Sequence, residues 1–267
     1  AWTYSTSNGF YDGRTYVPGW GNGELQYYTK PSRKEASSSN TTKNLFFEDG
    51  YLKIQPIYKK NASRIRDDEN AYNFTSARID TKNLKSFSYP AKISICFKVP
   101  KGIGFWPAFW LMPVEEIQWP NGGEIDIMEN RGRISNIASS ALHFGEKWNK
   151  KSTLVGEALI PREVRFQDKF HSISLIWREN SMEFYLDNAA EPYFKIDSNN
   201  KEFKKYKYPF NRDYYMILNV AVGGKYDDFW VDYDSFCIDE ECSNKTIPDN
   251  HRFLIDWIEY ELSLIHI

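Results

Sequence analysis

The apolar positions of this chain come in short runs rather than at helical spacing. Each run is rich in β-branched or aromatic residues and is bounded by Gly, Pro, Asn or Asp, which is how strands between turns read. The stretch NLFFEDGYLKIQPIY (44–58) predicts two strands across a turn at Asp49-Gly50. SARIDTK (76–82), AKISICFKVP (91–100), EIDIME (124–129), SALHFG (140–145), YYMILNVAVGG (214–224) and FLIDWIEYEL (253–262) predict further strands. SISLIWRENSMEFYLDN (172–188) predicts a hairpin turning near Glu179-Asn180-Ser181. Helical periodicity is scarce; PREVRFQDKF (161–170) is the one place where a short helix or turn is expected. No internal repeat stands out, and the polar patch KEASSSNTTKN (34–44) is expected to be an exposed loop. Many short strands without a helical half predict one all-β sandwich over residues 1–267, with one sheet curved into a groove.

One strand carries three acids out of step. In NGGEIDIMEN (121–130), Glu124 and Asp126 are two apart, but Glu129 falls five after Glu124. On a helix, Glu124 and Glu129 would stand about 140° apart and could not converge. On a strand, Glu124 and Asp126 share a face while Ile125 and Ile127 point to the core. Regular pleating would then bury Glu129. A β-bulge with Met128 as the extra residue returns Glu129 to the face of its partners. Crowded carboxyl groups resist ionising together, so one keeps its proton near neutral pH, as cleavage of a glycosidic bond requires. The spacing alone fits an ordinary half-exposed strand with solvated acids better, and three carboxylates also suit a divalent cation.

Composition narrows the partners. The net charge is −2, from 34 basic and 36 acidic residues, which gives no electrostatic case for nucleic acid or an anionic membrane. No apolar run reaches the roughly 18 residues of a membrane span. Nine Trp among 17% aromatic residues suggest flat apolar faces on which a ligand can stack. The chain opens AWTYSTSNGF and carries N-x-S/T sequons at Asn40, Asn61, Asn73 and Asn244. Together these predict a secreted, extracellular glycoprotein whose signal has been removed, or a trimmed chain. Cys237 and Cys242 enclose a turn-like loop that could close a local disulfide; the alternative is three free thiols. Cys96, among apolar neighbours, is expected to be a buried free thiol. Trp177 and Trp257 sit in apolar strands and are expected in the core.

The flanks of the acid strand, GIGFWPAFWLMP (102–113) and QWPNGG (118–123), resemble glycoside hydrolase family 16, in particular its laminarinase-type β-glucanases and the related invertebrate β-1,3-glucan recognition proteins. Glu124-Ile125-Asp126-Ile127-Met128-Glu129 stands as that family's longer, bulged acid motif. NGELQYYT (22–29), SARIDTK, LHFG (142–145), LNVAVGG (218–224) and DWIEYEL (256–262) extend the resemblance over nearly the whole chain in order. The opening twenty residues fit less cleanly, and the tail SLIHI (263–267) lies past the last similar strand.

The resemblance implies a β-jelly-roll sandwich of concanavalin A-like type with a substrate cleft on its concave sheet. It implies a single catalytic domain, an endo-β-1,3-glucanase cleaving laminarin-type glucans with retention. Glu124 is then the nucleophile, Glu129 the general acid/base and Asp126 the residue that orients and tunes them. His143 would stand on the neighbouring strand, where a hydrogen-bonded structural role is the alternative. Trp106 and Trp119 are expected as sugar platforms, Trp110 as cleft or core. Asn22, Glu24 and Arg78 are expected to bond sugar hydroxyls, with Asn219 and Trp230 as weaker candidates. No cofactor is required for catalysis, and Gly50 and Asp256 resemble a structural calcium site that some members carry. The partner is a β-glucan, not nucleic acid or membrane, and a monomer is expected. The segment 225–250 is expected to shape one end of the cleft. Rival readings are a non-catalytic β-1,3-glucan recognition protein, and a hydrolase or transglycosylase acting on mixed-linkage β-glucan.

Overall fold

The structure is a computed structural model that describes residues 1–31, 43–64, 70–239, 241–243 and 249–262, with residues 63, 64 and 243 by backbone alone. One seven-stranded sheet runs, in spatial order, β1 (Thr3–Tyr4), β9 (Arg78–Asp80), β18 (Tyr214–Val222), β11 (Phe105–Pro113), β12 (Glu124–Glu129), β13 (Ile137–Lys147) and β14 (Lys150–Leu159). A second runs β17 (Phe194–Asp197), β16 (Ser181–Leu186), β15 (His171–Arg178), β10 (Ala91–Lys98), β20 (Phe253–Leu262), β6 (Tyr51–Ile54) and β5 (Leu45–Glu48). Neighbours in both sheets pair antiparallel. A smaller sheet of β19 (Cys237–Ile238), β7 (Ile57–Arg64), β8 (Ala71–Ser76) and β4 (Gln26–Tyr28), and a hairpin of β2 (Gly9–Asp12) and β3 (Thr15–Pro18), complete a jelly-roll β-sandwich.

Alternation decides what lies between the sheets. Phe109, Leu111, Ile125, Leu142, Phe144, Leu218 and Val220 point inward from the first sheet. They meet Ile93, Ile95, Phe97, Ile173, Leu175, Trp177 and Phe184 from the second. Phe109, Ile125, Phe97 and Trp177 are wholly buried, so each contributes about 1.5–3 kcal/mol or more of apolar burial. The first sheet therefore keeps a full second face, that of its outward residues, free to carry chemistry.

The predicted turns form. Asp49 and Gly50 join β5 to β6 with φ of 54° and 86°, the left-handed pair that a two-residue hairpin favours. Asn180, at φ 62°, closes the hairpin between β15 and β16. Residues 161–170 fold as successive turns rather than a helix, with Val164 N–H on Pro161 O and Asp168 N–H on Arg165 O. The helix α1 (Lys201–Tyr206) arises instead where Asn200 Oδ1 caps the backbone N–H of Glu202 at 3.0 Å.

Cys237 and Cys242 form the disulfide, with Cα atoms 5.4 Å apart. Cys96 is free but only half-buried, because it points out of the second sheet. Its thiol is pushed up to about 11, by burial first and then by the charges of Asp256 and Asp187. Trp257 corrects a sequence expectation: it is 42% exposed, not core. Phe97 pairs with Ile255 but Cys96 pairs with Trp257, so Asp256 is an extra residue in β20. That bulge turns Trp257 outward, where strict alternation from the buried Ile255 would have turned it in. Asn61 is exposed, whereas Asn73 is half-buried and donates its amide to Lys59 O at 2.9 Å. Asn40, Asn244, most of the 34–44 patch and the SLIHI tail lie outside the described residues.

Candidate active site

Residues paired across antiparallel strands share a face, and three such rows build the site. Glu124 faces His143, which faces Thr153. Trp110 faces Asp126, which faces Ala141. Arg78, Asn219, Ala108, Glu129 and Ser139 form the third row. Glu124, Asp126 and Glu129 therefore stand on one face, at successive rows of a single strand.

The bulge in β12 is what puts them there. Asp126 pairs with Ala141 and Glu129 with Ser139, so Ile127 and Met128 together oppose Ser140. On the other side Met128 pairs with Phe109, and Ile127 is the residue left over. The bulge expected from the sequence is present, but the extra residue is Ile127 rather than Met128. Ser140 Oγ donates to Ile127 O at 2.6 Å, which occupies a carbonyl displaced from the ladder. Both bulge side chains are wholly buried, so the core side of the strand holds the irregularity in place.

Each flanking indole has one job on this face. Trp119 Nε1–H donates to Glu124 Oε2 at 2.7 Å, and Trp106 Nε1–H donates to Glu129 Oε1 at 2.8 Å. Trp110 Nε1–H donates to Asn219 Oδ1 at 2.7 Å. Asn219 Nδ2 in turn donates to Tyr28 OH, which donates to Glu24 Oε2. Glu24 also accepts from Gln26 Nε2 at 2.7 Å and Asn22 Nδ2 at 3.0 Å. Arg78 lays its guanidinium between the rings of Trp20 and Trp110, 4.1 and 4.9 Å from their centroids. Its buried Nε has no acceptor among the described residues.

Burial sets the proton inventory. Glu129 is pushed up to about 8 by desolvation and by the charge of Asp126, against the pull of His143 and the Trp106 hydrogen bond. Asp126 is pushed up to about 7 by desolvation and by Glu124. His143 Nε2 lies 3.1 Å from Asp126 Oδ2, and Nδ1 lies 2.9 Å from Thr153 Oγ1. Burial alone would lower His143; the hydrogen bond and charge of Asp126, with the other two acids, lift it to about 9. Burial and the neighbouring charges thus favour a protonated Glu129 carboxyl, and the surrounding acids favour a charged His143. Glu124, Asp126 and His143 bring one ligand atom each within 4.8 Å of one another. Trp119 already bonds Glu124 Oε2, and the His143 ring stands between Thr153 at Nδ1 and Asp126 at Nε2.

The sequence-predicted residues Glu124, Asp126, Glu129, His143, Trp106, Trp110, Trp119, Arg78, Asn22, Glu24 and Asn219 fall into this one connected region. Trp230 lies 59% exposed on the following loop. Four contributors were not singled out from the sequence. Tyr226 stacks on Trp106 at 4.8 Å and hydrogen-bonds Ser139 Oγ, so the start of the 225–250 segment walls the cleft beside Glu129. Trp20 supports Arg78. Trp148 packs on Trp119 at 5.1 Å, and Lys151 Nζ sits 3.9 Å from the Trp148 ring and 4.3 Å from that of Trp119. Trp20 stands among glycines and Trp148 at a hairpin tip, so neither has the alternation that marks a strand face.

Comparison with known proteins agrees with this geometry. The profile of Glycosyl hydrolases family 16 matches residues 31–233. The chain belongs to glycosyl hydrolase family 16. Among its family 16 relatives, the glucan endo-1,3-beta-glucosidase A1 of Niallia circulans is 32% identical over 241 residues, covering 85% of this chain and 32% of that protein. The glucan endo-1,3-beta-glucosidase of Cryptopygus antarcticus is 35% identical over 216 residues, covering 78% of this chain and 73% of that protein. This chain thus spans about a third of the bacterial relative's length and nearly three quarters of the other's. The laminarinase catalytic domain of Thermotoga maritima superposes with a TM-score of 0.76 at 29% identity, covering 99% of this chain and 92% of that one. Family 16 glycosidases need no cofactor for catalysis.

Proposed function

We propose that this chain is a secreted endo-β-1,3-glucanase of laminarinase type that hydrolyses its substrate with retention. The observation that carries the reading is the β12 bulge, which brings Glu129, whose burial favours the protonated acid, onto the face of Glu124. Retaining glycosidases hold two such carboxyls about 5–5.5 Å apart, one to attack and one to protonate. Glu124, steadied at Oε2 by Trp119, attacks the anomeric carbon with its other oxygen as the glycosidic bond breaks. Glu129 gives its proton to the departing oxygen, then takes one from the water that releases the sugar from Glu124. Asp126 and His143 hold the shared charge between the two. The indoles of Trp106 and Trp119 offer faces to sugar C–H surfaces, and the unfilled donor of Arg78 suits a hydroxyl.

Reducing-sugar release from laminarin, with chain-length analysis of the products and the anomer observed first by NMR, tests the reading. Mixed short oligosaccharides appearing early as the β-anomer are expected; Glu124→Gln and Glu129→Gln should each abolish release. Unchanged release in either variant, or α-anomer product, would overturn the roles. Secretion is supported by the Cys237–Cys242 bridge, which persists in oxidising compartments, and by the exposed sequon at Asn61. A mass shift on deglycosylation tests it. A structural calcium at Gly50 and Asp256 is part of the same proposal: both are exposed, and β20 pairs with β6 so that Asp256 follows the residue opposite Leu52. Calcium takes six to eight oxygens, so most of its shell would be water and backbone carbonyl. A melting temperature unmoved by chelator would remove it. A monomer is proposed as well, to be checked by light scattering.

A further inference from the structure

The outer face of the second sheet, opposite the cleft, breaks the usual habit of an open sheet. Val, Ile, Thr and Tyr cover such faces best. Here the central strands β10 and β15 instead present Ser94, Ser172 and Ser174, while their inward residues Ile93, Ile95, Ile173 and Leu175 are wholly buried. Ser94 and Ser174 are paired across the ladder, with Oγ atoms 2.8 Å apart. The flanking strands carry large rings. Tyr185 on β16 pairs with Ser174, and Trp257 on β20 pairs with Cys96, one row from Ser94. Thin side chains between tall ones make a groove of about 380 Å³ whose lining includes both rings and all three serines. Its rims stand three strand spacings apart, about 14 Å between backbones.

The Trp257 rim is built by an irregularity. Were Asp256 paired in a regular ladder rather than bulged, Trp257 would point inward with Ile255. The bulge instead leaves an indole 42% exposed on a surface where it gains no core packing. Bulges re-aim side chains, and a broken local rule without a structural gain marks a functional feature. The groove offers a polyol ring faces at its rims and, between them, serine hydroxyls together with the polar side chains of Lys92, Asp187 and Asn188. Asp187, at one end, already accepts from Ser172 N–H at 2.8 Å and contacts His171 Nδ1 at 2.9 Å.

We infer that this groove is a second, non-catalytic glycan-binding site that takes a β-glucan chain, with Trp257 and Tyr185 as its platforms. The choice of β-glucan rests on the function proposed above; the groove would hold the enzyme on particulate polymer while the opposite face cuts. The test compares the protein with its Trp257→Ala and Tyr185→Ala variants in two assays. One is depletion from solution by particulate curdlan, the other kcat/KM on a short soluble laminari-oligosaccharide. Trp257→Ala should weaken curdlan affinity about tenfold, as loss of an aromatic anchor does, and Tyr185→Ala less. Both should leave the soluble reaction unchanged. Circular dichroism and thermal melts check folding; if Trp257→Ala fails to fold, Tyr185→Ala and Trp257→Phe decide. Curdlan affinity within twofold of the parent in the folded variants overturns the site. So does a change in sedimentation without a change in curdlan binding, which would make the groove a contact between copies. A parent protein that leaves the soluble oligosaccharide uncut refutes the catalytic reading instead, and curdlan binding still decides the groove.

Discussion

Replacing Trp106 by Phe should move the basic limb of the pH–activity profile upward. The indole N–H donates to Glu129 Oε1 at 2.8 Å and favours the ionised carboxylate. Phe keeps a ring against Tyr226, which now stacks at 4.8 Å with planes 19° apart, but removes that donor. A hydrogen bond to a charged group is worth about 1.5–3 kcal/mol. With about 1.36 kcal/mol per pKa unit, a shift of about one unit follows even if water recovers part of the loss. Glu129 titrates at about 8 in the parent, so the limb should move from about 8 toward about 9. The assay is kcat/KM on laminarin or a soluble laminari-oligosaccharide over pH 5–10. The plateau should fall too, because Glu129 loses the contact that fixes its orientation. A basic limb that stays in place, or moves to lower pH, refutes the assignment of Glu129 as the proton donor tuned by Trp106.

Glu129→Gln should abolish activity yet raise the melting temperature at neutral pH. Burial lifts the folded Glu129 to about 8, above its unfolded value near 4.3, so the stability it contributes is complete below the unfolded value and is lost as pH rises through about 8. The variant should melt a few degrees higher at pH 8 and converge with the parent at pH 4; the same gap at both pH values would contradict the linkage. Deleting Met128 should remove the bulge and let plain alternation carry Glu129 to the cleft face one residue nearer Glu124, so the folded variant should keep measurable laminarin hydrolysis. A folded deletion variant without any laminarin hydrolysis would contradict the account.

Strand existence was legible because alternation and turn residues act locally. Asp49-Gly50 and Asn180 announce their hairpins through left-handed φ values that few other residues tolerate. The acid face was legible because three carboxylates out of period imply a bulge. Its detail was not: that Ile127 and not Met128 is the residue left over follows from the pairing of Met128 with Phe109 on β11, which tertiary structure sets. Trp257 failed for the same physical reason. Period two is reliable only until a strand gains a residue, and nothing around Asp256 signals the gain. Tyr226, Trp20 and Trp148 were invisible as site residues because loops placed by the scaffold bring them there.

The site and the outer groove rest on one structural device used twice. An extra residue in β12 turns a carboxyl into the cleft, and an extra residue in β20 turns an indole onto the opposite face. In both strands the residues beside the irregularity are deeply buried: Ile127 and Met128 in one, Ile255 in the other. A closely packed core tolerates few shifts, so the bulge cannot slide along the strand without exposing those side chains. The core thereby fixes where the exposed groups stand. It also supports the unfavourable burial of Glu129, Asp126 and His143, because each carboxyl is held by a neighbour fixed in the same sheet. A mutation in the core behind β12, such as Ile127→Gly, should therefore damage catalysis before it unfolds the protein, and so alter the pH profile as well as the melting temperature.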